Sequence, residues 1–196
     1  MKRQTAKTES KRNLIEPVII VHGGAGDIPQ SREQGKLNGV KEAARCGYRK
    51  LIETENAMDA VEKAVRSMEI DEYFNAGYGS VLTNEGNVEM DASVMCGKTM
   101  NFGCVSILTD ILHPITVSRK IMDKSRDKFL GGEGAMNFAR TQGIRVLYPT
   151  GQLVTDFTSS FMKSFLTDRH NKSSTLNEPK TIEKYKIKEA VSFKII

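Results

Sequence analysis

The chain has 196 residues, 39% hydrophobic and 27% charged, which allows one real core in one domain, or one domain with tails. Its net charge of +5 sits at the ends: residues 1–13 carry five Lys/Arg against Glu9 and 157–196 carry eight against four, whereas 14–156 carries sixteen against nineteen. Neither basic end has a recognition motif or a basic strip interleaved with aromatics, so solvated disorder is expected there, with no nucleic-acid and no membrane partner.

Residues 1–16 read as a disordered basic extension. Pro17-Val-Ile-Ile-Val21 is apolar and β-branched, which predicts a strand covered on both faces. It runs into His22-Gly-Gly-Ala-Gly26, a loop whose backbone can approach something closely. From Ser31 to Ile52, Leu37, Val40, Ala44, Tyr48 and Leu51 form a helical stripe. Asn56 is placed to cap a second helix with Met58, Val61, Val65 and Met68 on one face. Ala60 and Ala64 beside them would let that helix lie close to a sheet.

The stretch Met68-Glu-Ile-Asp-Glu-Tyr-Phe-Asn-Ala-Gly-Tyr-Gly-Ser-Val-Leu82 follows this helix. Gly77 and Gly79 mark a sharply shaped loop around Asn75, whose amide carries donors and an acceptor. Taken alone it also reads as a plain helix-to-strand turn, with the asparagine capping its own backbone. Strands are predicted over Gly79–Thr83 and Asn87–Met95 around an Asn84-Glu85-Gly86 hairpin turn, and over Phe102–Leu112. Asp91 reads as a polar-face residue or as a functional carboxylate. Pro114 opens a helix with Val117 and Ile121 inward, and Gly134–Gln142 is another, stopped by Gly143. Phe157, Phe161, Met162 and Phe165 give one or two amphipathic turns. Residues 167–196 read as a linker and a divergent tail.

Chemical motifs are sparse when taken singly. Gly24-Ala-Gly26 after a strand lacks the third glycine of a dinucleotide loop, since Pro29 stands there, and no Lys-Ser/Thr pair makes a P-loop. His22 is placed to act as a general base, yet a lone histidine at a strand end is commonly structural. His113 and His170 complete no metal set, and Cys46, Cys96 and Cys104 lack metal-ligand spacing and point to a reducing compartment. With no apolar run long enough to span a bilayer and no secretory signal, a cytoplasmic location is expected.

Taken together and in order, four motifs are more specific: Val21-His-Gly-Gly-Ala-Gly26, Asn56-Ala-Met-Asp-Ala-Val-Glu62, Phe74-Asn-Ala-Gly-Tyr-Gly-Ser-Val-Leu82 and Val88-Glu-Met-Asp-Ala-Ser93. Over about residues 17–156 the chain resembles the isoaspartyl peptidase/L-asparaginase family. These are the plant-type asparaginases of the N-terminal-nucleophile hydrolases. The resemblance implies an α/β (α+β) fold, part of an αββα four-layer sandwich, with 17–166 as the α-subunit-like region. It also implies a precursor that cuts itself at a Gly-Thr bond to free a threonine nucleophile whose own α-amine is the base. Asn75 matches the asparagine that shapes the nucleophile's surroundings, and His22, Gly23 and Gly24 match a glycine loop that shifts during self-cleavage. The backbone carbonyls of Met68, Glu69, Asp71, Phe74, Ala76 and Tyr78 fall on the family's sodium-binding loop. No other cofactor is implied.

The departure is large. No Gly-Thr dipeptide occurs in the 196 residues, and residues 181–196 match nothing in the family's second half. Gly103-Cys104 has suitable bond chemistry but lies in a predicted central strand. The expectation is therefore a threonine-type amidohydrolase half, its second half missing and inactive by itself, acting on L-asparagine or β-aspartyl peptides only with a β-like half supplied. The alternatives are a non-catalytic partner or regulator, forming a hetero- or homo-oligomer with a full-length homologue, and a truncated product.

Overall fold

A computed structural model describes residues 16–25 and 28–174. The basic extension up to Ile15 and the tail from Thr175 lie outside the described residues, as does the second part of the expected linker, 175–180. Eight elements follow in order: α1 (Gln30–Thr54), α2 (Ala57–Glu69), β1 (Met90–Met95), β2 (Phe102–Leu108), α3 (Pro114–Lys124), β3 (Phe129–Gly131), α4 (Gly132–Thr141) and α5 (Asp156–Ser174). Mixed α and β content is as expected.

The helix boundaries follow local chemistry. Asn56 caps α2, its Oδ1 accepting from Met58 N at 2.9 Å and from Asp59 N at 3.4 Å. Pro114 opens α3, where the missing N–H leaves no bond unmade. α4 ends before Gly143, which adopts φ +71°. α5 runs on to Ser174, so the first residues of the expected linker continue a helix.

The sheet has the order β1-β2-β3, antiparallel between β1 and β2 and parallel between β2 and β3. On one face Val105 and Leu108 of β2 meet Val117 and Ile121 of α3 and Ala135, Met136 and Ala139 of α4, which together form the main core. No described helix covers the opposite face, and Phe102, Ile107 and Phe129 are 41%, 51% and 62% exposed. Asp91 is structural. The register of β1 on β2 shifts between Met90 and Ala92, and its Oδ1 staples the resulting bulge by accepting from Ser106 Oγ at 2.6 Å and Ile107 N at 2.9 Å.

Three expectations are corrected. Residues 17–21 form no strand; Ile19 packs onto α1 at Gly47, while Val18 and Ile20 are 76% and 90% exposed. A β-branched run becomes a strand only against a paired neighbour, and the described residues offer it none. Ala60 and Ala64 face α1 at Gly47 and not a sheet: a Cβ on that glycine would stand 3.0 Å from Ala60 O and Ala64 Cβ. Small side chains on both partners let α1 and α2 close together, and α2 in turn reaches β1 and α3 through Met58 and Val65. The predicted 79–83 strand is reduced to a single bridge, Leu82 to Val88, across the Asn84–Gly86 turn.

Candidate functional site

The loop from Ile70 to Ser80 is built around glycine geometry. Gly77 has φ +57°, and a Cβ there would lie 2.2 Å from Glu69 O; Gly79 has φ +103° and backs onto Glu72 Cα at 2.7 Å on the same test. Both positions therefore admit only glycine without displacement of the backbone. Hydrogen bonds close the loop internally: Asp71 N to Met68 O, Phe74 N to Asp71 O and Tyr78 N to Glu69 O, at 3.1, 3.1 and 2.8 Å.

Asn75 stands exposed at the tip of this fold. Its Oδ1 accepts from Val81 N at 2.9 Å, which fixes the side chain and leaves the amide N–H groups without a partner among the described residues. The turn-capping reading uses Oδ1, and the site reading would use Nδ2 at the other end of the same amide. The glycine loop lies alongside. Gly23 packs against Phe74, where a Cβ would come within 3.0 Å of Cε1, and Gly24 at φ +91° donates its N–H to His22 Nδ1 at 3.1 Å. The structure therefore brings the two predicted segments together through Phe74. His22 itself is exposed, and among the described residues no Ser, Thr or Cys side chain hydrogen-bonds to it.

Of the six carbonyls expected to form a cation loop, those of Phe74, Ala76 and Tyr78 accept no hydrogen bond from the described residues. Those of Glu69 and Asp71 each receive one and keep a second lone pair, whereas Met68 O accepts from both Ile70 N and Asp71 N. No group of three His, Cys, Asp or Glu that could hold a metal occurs among the described residues.

Several residues here escape a sequence reading. The Glu69 carboxylate is buried, 2% exposed, and accepts from Ile115 N at 2.8 Å while Oε2 lies 3.1 Å from His113 Nδ1. It supplies the cap that α3 lacks locally, since His113 makes no side-chain cap bond. Nothing in the local sequence signals a cap 46 residues away.

A pocket of 270 Å³ opens beside Asn75, lined by Arg32 and Lys36 of α1, by Tyr73 and Phe74 of the loop, and by Phe157 and Phe161 of α5. Arg32 donates to Glu72 O and stacks on the Tyr73 and Phe157 rings, 4.5 and 3.8 Å from their centroids. In a stacked array of this kind one planar cation ties α1, the loop and α5 together. No described helix is long and apolar enough to cross a membrane.

Comparison with known proteins bears on this arrangement. The family described as Asparaginase matches residues 15–192. A probable isoaspartyl peptidase/L-asparaginase of Drosophila pseudoobscura pseudoobscura is 51% identical over 161 residues, 79% of this chain and 49% of the relative. The isoaspartyl peptidase/L-asparaginase of Danio rerio is 48% identical over 72% of this chain and 45% of its own. The plant-type L-asparaginase of Pyrococcus furiosus is 48% identical over 67% and 43%. The chain spans about half the length of these relatives.

Proposed function

The chain belongs to the asparaginase family, and on that premise we propose that it is one half of an isoaspartyl peptidase/L-asparaginase, contributing the Asn75 loop to hydrolysis of L-asparagine and β-aspartyl peptide bonds. The observation that carries this is the fixed, half-satisfied amide of Asn75. Its oxygen is held by Val81 N–H, its N–H groups have no partner among the described residues, and Asn75 lines the pocket together with Ala25 of the glycine loop. Such a group is a preorganised donor for charge developing on an amide oxygen, or for the nucleophile that attacks it.

The reading extends to the surroundings of that loop. A sodium ion held by the carbonyls of Met68, Glu69, Asp71, Phe74, Ala76 and Tyr78 would fix its shape by charge; the free lone pairs of the last five support this, while Met68 O would have to give up a hydrogen bond to join. The sheet, bare on one face, is proposed as one inner layer of a four-layer sandwich.

By itself, residues 1–196 should hydrolyse neither substrate class. Within this sequence no Gly-Thr supplies a nucleophile, and a nucleophile and an oxyanion hole are each worth several kcal/mol of transition-state stabilisation. The test is an assay of the purified chain with L-asparagine and β-aspartyl dipeptides, alone and mixed with the C-terminal half of the Drosophila relative. No turnover alone and turnover on mixing is the expected result. Turnover by the chain alone, above a denatured control, overturns the nucleophile-free reading; no turnover with either preparation overturns the hydrolase reading.

A second reading, a non-catalytic partner of a full-length homologue, is favoured by the bare apolar surface at Val18, Ile20 and Phe129. It expects co-purification with the intact homologue and a persistent lack of turnover in the mixture.

A further inference from the structure

α1 carries two cations where a helix favours them least. Arg32 and Lys36 stand in its first two turns, where the positive end of the helix disfavours a cation and like charges four apart repel. Neither makes an ion pair with a described residue. Arg32 spends one Nη2–H on Glu72 O and lies over the Tyr73 and Phe157 rings, which leaves the rest of its N–H edge for a ligand. Lys36 Nζ lies 5.9 Å from the Phe74 centroid, and Asn75, whose N–H groups are unclaimed by the described residues, lines the same pocket. Of the nearby acids, Glu72 lines the pocket and gives Arg32 its backbone carbonyl, Asp71 Oδ1 accepts from Tyr73 N, and Glu33 is exposed on the first turn of α1, so on the pocket wall two cations face one carboxylate. The remaining wall is apolar, with Phe161 57% and Val81 52% exposed.

We propose that this pocket receives the residue that follows the aspartyl unit of a β-aspartyl peptide, its free carboxylate on Arg32 and Lys36 and its apolar side chain against Phe161 and Val81. Guanidinium and carboxylate are matched planar forks, so an α-carboxylate is the natural partner for the open edge. The inference rests on the reading above only for the name of the ligand. It separates the two substrate classes, because the ammonia released from asparagine has nothing to place in this pocket. A β-aspartyl peptide with an apolar second residue fills it.

The probe is N-acetyl-L-phenylalanine, compared with its primary amide, titrated into the full chain and followed by the backbone amide resonances of residues 28–36 and 72–81. The acid should bind about tenfold more tightly than the amide, with an affinity that falls as salt is raised. Lys36→Gln and Phe161→Ala, at side chains reaching solvent, should each weaken the acid about threefold or more without changing Tm. Equal binding of acid and amide, no perturbation of these resonances, or unaltered affinity in both variants overturns the proposal. The probe has no bond to be cut. Failure here with turnover in the two-half mixture therefore sinks the pocket alone, and binding here with no turnover sinks the hydrolase reading alone.

Discussion

Glu69 Oε1 accepts the backbone N–H of Ile115 at 2.8 Å, so the last residue of α2 caps the first turn of α3. The same residue offers its backbone carbonyl to Tyr78 N at 2.8 Å. One buried acid therefore anchors both a helix and the loop that holds Asn75. Removing it as Glu69→Ala leaves a buried N–H and His113 without partners, at a cost of about 2–3 kcal/mol. Glu69→Gln keeps an acceptor of the same size and should cost less than half of that. Urea unfolding of both variants checks the order, which is overturned if alanine and glutamine are equally damaging.

Gly77 and Gly86 both have positive φ, +57° and +85°, but only Gly77 is hemmed in. Gly86→Ala meets open space and should cost about 1 kcal/mol for backbone strain alone. Gly77→Ala adds a collision with Glu69 O and should cost at least about 2 kcal/mol more. Equal losses in a denaturation comparison would show that the loop yields freely at Glu69.

Gly103 lies where β2 meets α3, and a Cβ there would stand 2.2 Å from Ser118 O and 2.5 Å from Met122 N. Both neighbours are helix backbone and cannot rotate aside. Gly103→Ala is expected to push α3 off the sheet, with a loss of about 2–3 kcal/mol or recovery only in the insoluble fraction. A soluble variant with unchanged Tm would contradict the packing described.

Cys96 sits in the turn between β1 and β2, and hydrogen bonds from the Thr99 side chain, and then from the Thr99 and Lys98 backbone, hold its thiol below the ordinary cysteine range. The thiolate is the reacting form, so alkylation of Cys96 should rise at a lower pH than in an unstructured peptide. Thr99→Val removes the largest contribution and should move that rise to higher pH. Mass-spectrometric alkylation rates across pH decide the matter; a profile unchanged by Thr99→Val counts against it.

Most of what reached the structure intact from the sequence was local. Asn56, Pro114 and Gly143 act within four residues of themselves, and each sits at the helix end its chemistry dictates. The glycines around Asn75 were equally legible, because backbone angle is a property of the residue. What failed depends on partners distant in sequence. Pro17–Val21 has strand composition but no neighbour to pair with among the described residues, and β3 is three residues whose strand character comes entirely from a parallel match to Cys104–Ser106. Glu69, Arg32 and His113 acquire their roles through contacts 40 or more residues away, at 46, 40 and 44 positions. Ala60 and Ala64 were read correctly as close-packing positions, but composition does not say against what.

The bare β-branched residues at 18 and 20 bear on the fate of this polypeptide in a cell. Holdase chaperones and quality-control proteases select extended apolar backbone of that kind, and they draw on unshielded molecules continuously. The lifetime of the free chain should accordingly be set by how quickly a complementary surface shields that run, more than by its own melting point. Its abundance would then track the supply of whatever covers it.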